Sequence, residues 1–84
     1  MMQRVKIAMP VEGFTLSEEH FDPRHEGWPI PPAEAERDFA ARVVYVWAPG
    51  RVRVAHIGDF IFLRPDGMWD VIPAKEIHDK IITT

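Results

Sequence analysis

The chain has 84 residues, a net charge of −3, 46% hydrophobic residues and no cysteine. That length holds one small domain, and the missing cysteine excludes disulfides, iron–sulfur clusters, thiolate zinc and cysteine nucleophiles together. The apolar fraction supports a packed core rather than disorder, and no apolar run approaches the length of a membrane span.

The opening run RVKIAMPV, residues 4–11, alternates Val5, Ile7 and Met9 with Arg4, Lys6 and Ala8. A period of two with β-branched residues predicts a half-buried strand, and Pro10 confines its end to an edge or an exit. No signal-peptide core is present at the N-terminus, so the expected location is cytoplasmic, which suits a cysteine-free chain.

Residues 12–32 carry no sustained period and read as an irregular, acidic, proline-rich segment of a single 1–84 domain. TLSEEH, residues 15–20, is long enough for one helical turn with Thr15 or Ser17 as N-cap. Phe14, Leu16 and Phe21 are the candidate anchors to the core. Pro23, Gly27, Pro29, Pro31 and Pro32 forbid regular structure after that, because each proline restricts itself and its predecessor. From Glu12 to Asp38 eight acids stand against two arginines, a balance of −6, while the rest of the chain carries +3. Either the two regions neutralise each other in the fold or one of them steers a charged partner.

PPAEAERDFAAR, residues 31–42, predicts a helix of about two turns, with Pro32 in the first turn, Glu34 and Glu36 at the positive end of the dipole and Phe39 as its docking residue. Four β-rich runs follow. VVYVW and RVRVA flank Pro49-Gly50 and predict one hairpin; FIFL and MWDVI flank Asp66-Gly67 and predict another. Trp47, Phe60, Phe62 and Trp69 are expected to supply much of the buried area. PAKEIHDKII, residues 73–82, places Ile77 and Ile81 one turn apart and predicts a short terminal helix. The fold class is therefore α+β: an antiparallel sheet of four to five strands, small enough to curl toward a barrel, with one or two short helices.

The run IGDFIFLRPDGMWDVIPAKEIHDKII, residues 57–82, resembles the ending of a group of small phage and prophage proteins. The shared elements fall at Gly58, Asp59, Phe60 and Ile61, at Asp66 and Gly67, and at Trp69, Pro73, Ile77 and Ile81. RVKIAMPVEGF, residues 4–14, is similar to their opening strand, whereas the acidic proline-rich insert and VIPAKEI depart from the pattern. The resemblance implies a small accessory protein of phage or prophage type and no catalytic role. Together with size and acidity it points to an inhibitor of a host or defence factor.

No constellation predicts chemistry. His20, Asp22 and His25 offer metal-binding side chains, but Pro23 and the spacing of five deny them convergence, so no metal and no cofactor is expected. SEEH and EIHD set carboxylates beside histidines, yet neighbours in sequence do not face one another on a helix or strand, and an enzyme is not expected. The expected function is binding of a protein partner through the stiff segment around HEGWPIPP, residues 25–32, with Glu18, Glu19, Glu26, Trp28 and Ile30 as the contact residues. Trp28 has a second possible role as an anchor in its own core. The alternative is a small barrel that binds nucleic acid through Arg42, Arg51, Arg53 and Arg64 and stacks bases on Tyr45 or Trp47, although a pI near 5.7 opposes it. A homo-oligomer is compatible with either reading.

Overall fold

The N-terminal run is two strands rather than one. In the computed structural model of the protein, β1 (Gln3–Ile7) and β2 (Met9–Thr15) pair antiparallel, with Ile7 opposite Met9 and Gln3 opposite Gly13. The structure describes residues 3–7, 9–76 and 82–83, with side chains for residues 12–76. β2 runs through Thr15, so the irregular segment begins later than residue 12. Pro10 is tolerated within β2 because β6 does not pair with β2 until Glu12.

The remaining strands are β3 (Ala35–Asp38), β4 (Val43–Ala48), β5 (Arg51–His56), β6 (Phe60–Leu63), β7 (Trp69–Ile72) and β8 (Ile82–Thr83). They form two antiparallel sheets, one of five strands in the order β7-β6-β2-β1-β8 and one of three in the order β3-β4-β5. Both sheets are open, so the expected single sheet curling toward a barrel is replaced by two sheets sharing a core. Phe14, Ile61, Trp69 and Val71 from the larger sheet and Ala35, Val44, Val46 and Ala55 from the smaller one meet in a single buried cluster, completed by Leu16, Phe21 and Ile30.

Both expected hairpins are present. Val43–Ala48 pairs with Arg51–His56 across Pro49-Gly50, and Phe60–Leu63 pairs with Trp69–Ile72 across Asp66-Gly67. Gly50 and Gly67 take φ of 76° and 87°, the left-handed region that a side chain makes costly. The two hairpins lie in different sheets. Between them, Asp59 accepts the amides of His56 and Ala74, each at 2.8 Å, and so holds the crossover to the segment after β7. Gly13 lets the Phe60 ring lie across β2: a Cβ there would stand 2.7 Å from that ring and collide with the Ile61 carbonyl.

No α-helix occurs among the described residues. The helix expected at 32–41 is a turn at 32–34 followed by β3. Two turns of helix are marginal alone whatever their propensity, whereas the strand gains main-chain pairing with β4 and buries Ala35. Asp38 then accepts the amides of Ala40 and Ala41 and closes the turn into β4. At the C-terminus only a 3-10 turn, Ala74–Glu76, is described before β8 pairs with β1. Ile77, His78 and Ile81 lie outside the described residues. Residues 18–21 do form the expected single turn, of 3-10 type, after Ser17. No described helix is long and apolar enough to cross a membrane.

Candidate functional site

The segment 18–39 builds its shape from one buried histidine. His20 sits at the third position of the 3-10 turn, and its Nδ1 accepts the Ser17 amide at 2.9 Å, the return half of a capping box. The ring is buried against Phe14 at 5.1 Å, His25 at 5.0 Å and Trp28 at 5.7 Å between centroids. His20 is thus part of the packing and not the exposed loop residue its polar neighbours in sequence suggest. Burial, and then the adjacent His25, push its pKa below the ordinary imidazole value. A second proton would also fall on Nδ1, where the Ser17 amide already points.

Trp28 follows Gly27, whose φ of 88° turns the chain inward. Its ring packs edge-on against Phe14 at 5.4 Å and remains half-buried. Ile30 goes further, to 3% exposure: it belongs to the core cluster and its edge lines an open groove beside β3. The prolines on either side hold both side chains at fixed spacing on a stiff chain.

β3 supplies the central charge. Ala35 and Arg37 alternate inward, opposite Val46 and Val44. The Arg37 guanidinium lies 4.5 Å from the Trp28 ring centroid and 5.0 Å from that of Phe39, and its Nη1 donates to the His20 carbonyl at 2.8 Å. An arginine between two aromatic faces is held by cation–π attraction and by its own planarity. Phe39 meets Phe21 edge-on at 6.2 Å yet stays 43% exposed. On β4, Val44, Val46 and Ala48 point into the core, so the alternation turns Trp47 outward, where it is 42% exposed. This corrects its expected role as a buried residue; Phe60, Phe62 and Trp69 are buried as expected.

Trp28, Arg37, Phe39 and Trp47, with Pro32 and Glu36, line one open groove of about 420 Å³ beside the edge strand β3. By register Val52 and Val54 lie across β4 from Trp47 and Tyr45, and both are exposed. The groove therefore continues into an apolar sheet face.

The acids of the segment do not converge. Glu18 accepts from Arg42 at 2.6 Å, and Asp22 pairs with Arg24. Both pairs are exposed and contribute little. Glu19 and Glu26 are exposed beside the turn and the Trp28 approach. Among the described residues, no group of three metal-binding side chains comes together.

Of the four arginines of the nucleic-acid reading, Arg51, Arg53 and Arg64 gather around Asp70 and Arg42 stands apart. Arg42 belongs to the β3–β4 turn and holds Glu18, Arg53 lies 3.7 Å from Asp70, and Arg64 contacts both Asp66 and Asp70. Arg51 and Arg53 line a second groove of about 600 Å³, but Asp70 and Glu76 line it with them. Sequence reasoning missed Arg37 and Phe39 as site residues because they were assigned to a helix. The signal available was their spacing of two, which on a strand sets both on one side. Comparison of the chain with protein-family models, curated proteins and solved structures returned no match.

Proposed function

We propose that the protein is a non-enzymatic recognition domain that binds a protein partner through the groove beside β3. The observation that carries this reading is the convergence of Trp28, Phe39 and Trp47 around Arg37 in one open groove. Tryptophan and arginine are the side chains most often found at the energetic centres of interfaces. The stiff 28–32 segment lowers the ordering cost of binding, and Glu36 supplies a polar edge to the groove. The biological setting we propose, on the resemblance of residues 57–82, is that of a phage- or prophage-type accessory protein acting on a host factor.

Capture from a host lysate on immobilised wild-type protein and on Trp47→Ala tests the reading. Trp47 is outward and adds nothing to the core, so the variant should keep its melting temperature and lose the captured protein. Retention of that protein at wild-type affinity would sink the assignment of the groove. A nucleic-acid ligand stacked on Tyr45 and Trp47 is the second reading. It predicts binding that weakens steeply with salt, which apolar docking at the groove does not.

A further inference from the structure

We infer that the groove beside β3 takes an extended peptide carrying one carboxylate next to a bulky apolar side chain, and that Arg37 receives the carboxylate. The inference rests on the protein-binding reading and names the chemistry of the occupant. Arg37 is half-buried between Trp28 and Phe39 and donates to a single backbone carbonyl. No acidic side chain lies within ion-pair distance of it among the described residues, although Arg24, Arg42, Arg53 and Arg64 each hold one. Guanidinium is built for planar, two-pronged contact with a carboxylate, and its aromatic walls keep it in place before any ligand arrives.

The faces of Trp28 and Phe39 are closed to a cationic ligand, because the position over both rings is already taken by Arg37. What remains free is the apolar surface of Trp47, Phe39 and Pro32 and the remaining N–H groups of the guanidinium. β3 is an edge strand, so an extended chain also finds unpaired main-chain groups to lie against. A peptide fits this set better than a polyanion does. One arginine satisfies one carboxylate, while Glu36 in the groove and the −6 balance of residues 12–38 oppose a run of phosphates.

Selection of a random peptide display library on the full chain provides the test. The expected result is enrichment of Asp or Glu adjacent to Leu, Ile, Phe or Trp. The best peptide is then synthesised with its acid and with the matching amide, and both are measured by fluorescence polarisation on wild type, Arg37→Gln and Trp47→Ala. On wild type the amide peptide should bind about tenfold more weakly or worse, the usual cost of losing a charged hydrogen bond. On Arg37→Gln the acid and amide peptides should bind alike, since the acid has lost its receiver. The wild-type comparison needs no variant, so it stands even where Arg37→Gln fails to fold. Enriched peptides without an acid, or an amide that binds as well as the acid, overturn the carboxylate and leave the groove as a protein site. A library that yields no binder, or a labelled oligo-dT that binds and is lost in Trp47→Ala, overturns the protein-binding reading with it.

Discussion

The hairpins β4–β5 and β6–β7 both have β-rich strands and a turn glycine at positive φ, with two residues between the strands in the first and five in the second, yet they live in different surroundings. β6–β7 is covered on both faces: Phe60, Ile61, Phe62, Trp69, Val71 and Ile72 are all buried. β4–β5 is covered on one face only, with Val44, Val46 and Ala55 inside and Trp47, Val52 and Val54 in solvent. The difference is written in the strands themselves. FIFL is a continuous apolar run, as strands buried on both sides are, while RVRVAH alternates. In that alternation the valines, Val52 and Val54, face outward, while Arg51, Arg53 and Ala55 take the core side. On a strand whose inner face is already packed, an apolar outer face has no folding duty in the described structure, and this is the face that runs into the groove of Trp28, Arg37 and Phe39.

The comparison can be broken with matched truncations. Ile61→Ala removes a side chain with 0% exposure and should cost about 3 kcal/mol through lost transfer energy and a residual cavity. Chemical denaturation of the variant checks this; a loss under about 1 kcal/mol would mean that the core face of β6 is not packed as described. The two turns should not follow the difference between the strands. Gly50 and Gly67 both have positive φ, and a Cβ at either would meet nothing within 4 Å. Ala at either position should therefore cost about 1 kcal/mol, from backbone strain alone. Unequal losses would show that one turn makes contacts beyond its own backbone.

Proton linkage sharpens the contrast on the groove side. The pKa of His20 is lowered in the folded state, so the unfolded chain binds the extra proton first. The stability that neutral His20 contributes is fully present above pH 6.5 and falls as the pH drops below that value. Melting temperatures between pH 7 and 5 should show this decline, and His20→Gln should flatten it over that window. The smallest effect belongs to Val54→Ala on the open face of β5, within about 0.5 kcal/mol of wild type. A larger loss would indicate that this face is already covered in solution, by a second copy for example, and dilution would then lower the melting temperature of the wild type.

Much of the local structure was legible in the residues. Pro49-Gly50 and Asp66-Gly67 specify their turns because glycine alone takes positive φ freely, and the paired β-branched runs on either side leave one register. Phe14, Leu16 and Phe21 announced themselves as apolar residues in an otherwise polar stretch, and all three are core. The site was less legible. AEAERD carries a helical composition, and propensity over six residues is worth less than the pairing with β4 that the tertiary structure offers. Once Arg37 is read on a strand, its inward direction and its place between Trp28 and Phe39 follow from the packing of the smaller sheet. The buried state of His20 was equally hidden, since a histidine among acids and prolines looks solvated until Phe14 and Trp28 close over it.

The sequence by itself determined the turns, the strands beside them and the residues that must be inside, because those depend on dihedral freedom and side-chain period over a few neighbours. Only the tertiary structure decided that the two hairpins enter separate sheets, that residues 35–38 form an edge strand, and that Arg37 stands between Trp28 and Phe39. Those outcomes depend on which apolar faces meet across the core, and that is a long-range choice that no local pattern contains.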